Sequence, residues 1–130
     1  MRRVTPRSLL GRAAAAARRA YAPYSRYSVG AALVTAQGRV FTGANVENVS
    51  YGLTICAERA AVFSAIASGA RRFRALAIVA AGRREPYPCG ACRQVLAEFG
   101  DCVVLCADSR RPARVHLYQL AELLPAAFKL

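Results

Sequence analysis

Three of the five cysteines fall in two clusters, Cys56-Ala57-Glu58 and Pro88-Cys89-Gly90-Ala91-Cys92, each at the start of a predicted helix. Cys-x-x-Cys places two sulfurs within one helical turn, close enough to grip one metal ion. Helix N-termini favour anions, so thiolates are stabilised at both positions. Together with Cys56 the pattern supplies three thiolates and leaves one position open. That is the layout of a catalytic zinc site, because a structural site normally closes with a fourth ligand. Taken alone, Cys-x-x-Cys is equally consistent with a redox pair or a chance pair. An odd count of five cysteines excludes a complete disulfide framework. The lone histidine, His116, lies in the last strand region with no near partner in sequence.

Around these clusters the pattern predicts alternating strands and helices. Thr5 is a candidate N-cap with Pro6 at the first helical position, and Pro23 stops this first helix after Tyr21. Leu9, Leu10, Ala13, Ala17 and Ala20 can share its apolar stripe. Tyr27–Thr35 and Val40–Val46 read as a hairpin joined by a turn at Ala36-Gln37-Gly38-Arg39. Glu47–Thr54 is polar and irregular, and Thr54 is placed to cap a helix over Cys56–Ser68, ended by Gly69. The apolar run Arg74–Ala81 is expected to be a buried strand, Arg83–Pro88 a loop, and Cys89–Phe99 a third helix ended by Gly100. Cys102–Ala107 and Arg114–Tyr118 complete the strands, and Gln119–Leu124 forms a short helix before Pro125. This alternation predicts an α/β sandwich. Cys102 and Cys106, four apart on one strand, face the same side and read as small buried hydrophobes.

The chain of 130 residues is expected to form a single domain over 1–130. Apolar residues make up 55%, enough to build a core, and no apolar run approaches the ~18 residues that span a bilayer. The net charge of +12 invites a nucleic-acid reading. However, the basic residues come as short clusters at element ends and in loops, such as Arg18–Arg19 and Arg110–Arg111–Arg114. No aromatic is interleaved with them in a stacking pattern. The acid-free stretch before Glu47 has the composition of a transit peptide, but a folded helix accounts for it better.

Cys-x-Glu followed by Pro-Cys-x-x-Cys is the signature of zinc deaminases. The sequence resembles the small, tetrameric-type cytidine deaminases, in five stretches and in the right order. These are Val29-Gly30-Ala31-Ala32-Leu33, Asn45-Val46-Glu47-Asn48, Cys56-Ala57-Glu58-Arg59, Pro88-Cys89-Gly90-Ala91-Cys92-Arg93-Gln94 and Leu123-Leu124-Pro125. The resemblance runs from about Leu9 to Phe128. It implies a three-layer α/β/α sandwich with a mixed five-stranded sheet, and one Zn²⁺ per subunit on Cys56, Cys89 and Cys92.

By the same resemblance, Glu58 is the general acid/base, and Arg59 hydrogen-bonds the zinc thiolates and offsets their charge. Residues matching Asn45 and Glu47 meet the ribose hydroxyls, Ala57 offers backbone contacts to the base, and Tyr27 stands where a phenylalanine usually packs on base or sugar. The position of Phe128 implies a ring reaching into a neighbouring subunit's site, and Tyr51 implies a place near that interface. The implied activity is hydrolytic deamination of free cytidine and 2′-deoxycytidine to the uridines and ammonia, in pyrimidine salvage. The implied assembly is a homotetramer, and reduced cysteines fit a cytoplasmic protein. Two other readings are a deaminase of a nucleoside antibiotic of the blasticidin S type and a deaminase of cytosine in RNA or DNA. A carboxylate at Glu47 facing the 3′ hydroxyl argues against a polymer, where a 3′ phosphate would bring like charges together. No nucleic-acid or membrane partner is expected.

Overall fold

The computed structural model describes residues 3–82 and 85–130. The first helix, α1 (Pro6–Ala17), starts as the sequence predicts: Thr5 and Ser8 cap each other reciprocally at 3.0 Å, with proline in the first turn. It ends four residues before Tyr21, because tertiary pairing takes Tyr21 out of the helix. Its amide donates to Asn45 O at 2.9 Å, and its carbonyl accepts from Glu47 N at 2.8 Å. As a result Leu9, Ala13 and Ala16 form the buried stripe of α1, and Ala17 and Ala20 are only half-buried.

Strands β1 (Val29–Thr35) and β2 (Val40–Ala44) pair antiparallel around a turn in which Gly38 adopts a φ of 91°. The first strand begins two residues later than its apolar pattern predicts. Tyr27 bonds through side chains instead of a ladder: its amide donates to Ser25 Oγ at 3.0 Å, and its carbonyl accepts from Asn45 Nδ2 at 2.8 Å. Similarly, Val46 leaves β2 to pair with Ile55 in an isolated bridge.

Helix α2 (Ala57–Ala67) follows, then β3 (Phe73–Ala80), α3 (Gly90–Ala97), β4 (Val103–Asp108), β5 (Val115–Gln119) and α4 (Leu120–Leu123). The α2 N-cap is Cys56, not Thr54. Thr54 closes a short 3-10 turn at Tyr51–Leu53, and its hydroxyl accepts from Asn48 N at 3.3 Å. The expected loop Arg83–Pro88 lies partly outside the described residues.

The five strands form one mixed sheet in the order β2-β1-β3-β4-β5. Only β3 and β4 run parallel, joined by the α3 crossover. Side chains alternate across the sheet with period two. Leu33, Leu76, Ile78, Val104 and Cys106 face α2, α3 and α4, whereas Ala32, Val34, Ala77, Val79 and Leu105 face α1. The result is the three-layer α/β/α sandwich.

Two glycines set how closely the layers approach. A Cβ on Gly30 would lie 1.9 Å from Ala13 O in α1. One on Gly43 would lie 2.5 Å from Ala57 O and from Ala61 N, so the first turn of α2 rests directly on β2. The second contact places the helix start that carries Cys56 and Glu58.

Candidate active site

Cys56 and Cys89 are the N-cap residues of α2 and α3. Neither thiol caps its own helix, so both are free to turn toward each other at two positive helix ends. Cys92, one turn into α3, is fully buried behind them. The three sulfurs lie within 4.8 Å of one another, with Cys56 to Cys89 at 3.7 Å and Cys89 to Cys92 at 3.4 Å. A tetrahedral zinc with Zn–S of ~2.3 Å needs sulfurs about 3.8 Å apart, while a disulfide needs ~2.05 Å. All five cysteines are free, and the spacing fits zinc held by Cys56, Cys89 and Cys92 with a fourth position left for another ligand. Cys56 and Cys89 face a cavity of about 420 Å³ that Tyr27, Asn45, Glu47, Ala57 and Glu58 also line. Five residues singled out from sequence therefore meet the metal cluster at one site.

The thiols share charge with Arg59, whose Nη2 donates to Cys56 Sγ at 3.3 Å. Hydrogen bonding from Cys92, then from Arg59 and Cys89, lowers the Cys56 thiol to about 5 despite partial burial. Cys92 moves upward, because its proton bonds to Cys56 and its surroundings are apolar. Arg59 is held charged by the same sulfur contact. Its Nε is buried without a hydrogen-bond partner among the described residues.

Glu58, in the first turn of α2, is 5% exposed. Burial pushes its carboxyl up to about 7, and the Cys56 charge acts in the same direction. Ala57 is fully buried against the cavity wall. Burial also raises the Tyr27 phenol, with Asp108 and Glu58 adding to the shift.

Asn45 and Glu47 already carry structural bonds. Asn45 Oδ1 accepts from Val29 N at 2.8 Å and its Nδ2 donates to Tyr27 O, so this amide pins the segment before β1 to the segment after β2. Glu47 Oε1 accepts from Tyr24 N at 2.9 Å and Ser25 N at 3.1 Å, and Oε2 accepts from Ser25 Oγ. These bonds, with the Ser25 hydroxyl foremost, hold the Glu47 carboxyl below its ordinary value. Phe128 does not line the cavity of its own chain: it is 71% exposed on the C-terminal segment, where its carbonyl accepts from Gln94 Nε2 at 3.5 Å. Tyr51 is exposed too, its ring edge-on to Tyr24 at 5.9 Å.

Sequence reasoning did not single out Ser25, Ile78, Glu85 or Tyr87, all of which line the cavity. Ile78 arrives through the β3 register, and Ser25 through a turn in which Arg26 adopts a φ of 57°. No local pattern marks either. Glu85 did have a signal, being an acid three residues before Pro88 in a chain with 7 acids. Arg93 pins the approach to Cys89: its Nε donates to Pro88 O at 2.7 Å and its Nη1 to Leu123 O at 2.8 Å. Cys102 and Cys106 are buried in the α2-side core, as expected, and burial pushes both thiols up to about 12.

Residues 4–107 match the family model for the cytidine and deoxycytidylate deaminase zinc-binding region. Cytidine deaminase of Mycobacterium tuberculosis is 51% identical over 122 residues, covering 94% of this chain and 88% of that protein. The crystal structure of cytidine deaminase from Burkholderia pseudomallei superposes with a TM-score of 0.91 at 48% identity, covering 96% of this chain and 100% of that one. A blasticidin-S deaminase of Bacillus cereus is more distant, at 28% identity over 112 residues, covering 76% of this chain and 77% of that protein.

Proposed function

This chain belongs to the cytidine and deoxycytidylate deaminase family, and from that premise we propose that it converts free cytidine and 2′-deoxycytidine, with water, to the corresponding uridines and ammonia. One observation carries the reading: the three-sulfur cluster and the buried Glu58 line or border the same nucleoside-sized cavity. Zinc on Cys56, Cys89 and Cys92 supplies Lewis acidity that makes a water a competent nucleophile near neutral pH.

The remaining work falls to side chains. Glu58 takes the proton that the water gives up and delivers it to ring N3, then takes the second proton from the hydroxyl newly bound at C4 and delivers it to the exocyclic amine, which leaves as ammonia. Its place two residues after Cys56, walled from solvent, keeps that proton within the site. Arg59 steadies the electron-rich sulfurs through Cys56. Tyr27 packs its ring on base or sugar, and the Ala57 backbone meets the base. Asn45 and Glu47 receive the ribose hydroxyls, and the bonds that pin them to Tyr24, Ser25, Tyr27 and Val29 preorganise that contact. A carboxylate there also disfavours a 3′ phosphate, and therefore an internal nucleotide of RNA or DNA. The Asn45-Val46-Glu47-Asn48 stretch favours an ordinary nucleoside over an antibiotic of the blasticidin S type.

The same reading extends to assembly and place. The chain works as one catalytic domain over 1–130, in a homotetramer in which the exposed Phe128 reaches a neighbouring subunit's cavity. It serves pyrimidine salvage in the cytoplasm. Free cysteines fit that compartment, and among the described residues no helix is long and apolar enough to cross a membrane.

A spectrophotometric assay on one zinc-loaded preparation, comparing cytidine, deoxycytidine, CMP, cytosine and a short RNA, tests the reading. Turnover of the two nucleosides without turnover of the RNA is expected, and rapid deamination of single-stranded RNA would refute it. Glu58→Gln should keep zinc and lose activity by roughly 10²–10⁴-fold. A mutant with near-normal kcat removes Glu58 from the mechanism.

A further inference from the structure

Acids are scarce in this chain, 7 against 19 basic residues, yet three of them line one cavity. Glu47, Glu58 and Glu85 all face it, and no lysine or arginine does so among the described residues. Glu47 and Glu58 have roles in the reading above, whereas Glu85 has none. It sits on the segment between β3 and α3, three residues before Pro88, and edge strand β5 holds it there. His116 Nε2 meets Glu85 Oε1 at 2.9 Å. Two residues further along the same face of β5, the Tyr118 ring lies 5.8 Å from that of Tyr87, with the two hydroxyls 3.4 Å apart. Two adjacent side-chain pairs thus clasp one wall of the cavity to β5. Its own backbone amide foremost, and then His116 and Arg114 from the β5 side, hold the Glu85 carboxyl below its ordinary value.

We propose that Glu85, positioned by His116, is a specificity-determining residue that turns the cavity against phosphorylated nucleosides. The inference rests on the nucleoside reading of this site. The matched family, by its own description, spans deaminases of a nucleoside and of a nucleotide, so some feature of each chain must choose between them. In this one the net charge of +12 draws phosphates toward the molecule as a whole. A local acidic wall reverses that preference where it matters. A compact cavity of about 420 Å³ is roughly 9 Å across, close to the ~8 Å Debye length at physiological ionic strength. A phosphate in it therefore lies within about one Debye length of Glu85, with Glu47 adding on the sugar side. A neutral nucleoside incurs no such repulsion.

The test uses the zinc-loaded full chain and reads kcat/KM for CMP divided by kcat/KM for cytidine. Turnover of cytidine by the wild type tests the nucleoside reading by itself. If that fails, the ratio is read instead from dissociation constants of cytidine and CMP measured by calorimetry. Glu85→Gln is expected to raise the CMP-to-cytidine ratio about tenfold, and Glu85→Asp to keep it near the wild-type value. His116→Ala should move the ratio the same way by a smaller factor, and adding it to Glu85→Gln should move it no further. A purely structural role would lower both substrates together and leave the ratio alone. An unchanged ratio in Glu85→Gln overturns the proposal. Should that variant fail to fold, an unchanged ratio in His116→Ala does so.

Discussion

The five cysteines divide between two environments. Cys56, Cys89 and Cys92 gather where two helices begin, beside an arginine and an open cavity. Cys102 and Cys106 sit beneath the helices, among Ile78, Val104 and Leu120 on the α2-side face of the sheet. The residue type is the same, but the chemistry is opposite. At the helix starts, hydrogen bonds and positive ends stabilise a thiolate, as the lowered Cys56 shows. In the core, burial stabilises the thiol, and Cys102 and Cys106 stay protonated up to about 12. A cysteine becomes a metal ligand here because of the charge and access around it, not because of its sulfur alone.

Removing a ligand should break this contrast most severely. Cys89→Ala is expected to abolish zinc binding and activity, whereas Cys106→Ala should retain a full zinc atom per chain and cost about 1 kcal/mol of stability. Metal analysis and denaturant unfolding check both. A zinc-replete Cys89→Ala would end the ligand assignment.

Gly43→Ala attacks the packing that places the ligand-bearing helix. The added Cβ meets the backbone of Ala57 and Ala61 at 2.5 Å, so α2 must shift. Overpacking of this kind costs about 1–3 kcal/mol, and zinc affinity should fall with it. Normal stability together with normal affinity would show that α2 can yield without moving Cys56.

Arg59→Gln should lower zinc affinity about 10–100-fold by removing the guanidinium from Cys56 while leaving the core thiols untouched. Competition against a chromogenic chelator measures it. The mildest test is alkylation of chelated protein with iodoacetamide at pH 8. Cys102 and Cys106 are below their raised values there, hence protonated and unreactive, so mass spectrometry should find modification at Cys56 and Cys89 first. Early labelling of Cys106 would mean that the core opens on that timescale.

Much of this contrast was legible before any coordinates. The Cys89–Cys92 spacing allowed a shared metal and the family resemblance added Cys56, while the four-residue spacing of Cys102 and Cys106 gave a common buried face, because spacings within one helix or strand follow from local geometry. The capping box at Thr5 and the turn at Gly38 were readable for the same reason. The expectations that needed correction lie where other residues, near or distant in sequence, compete for the same backbone groups. Tyr21 leaves the first helix for Val46, Tyr27 leaves its strand for Ser25 and Asn45, and Cys56 displaces Thr54 as the cap of α2.

By itself, then, the sequence carried the ligand set and the acid beside it in two short motifs that mark the family, and the alternation of strands and helices in periodicities shorter than one element. Only the tertiary structure decided that Asn45 and Glu47 are held by backbone partners, that Ser25 and Ile78 reach the cavity, and that β5 clasps Glu85 and Tyr87 against it. Those contacts join residues 16 to 31 positions apart, and their geometry exists only once the sheet has set its register and the helices have settled on it.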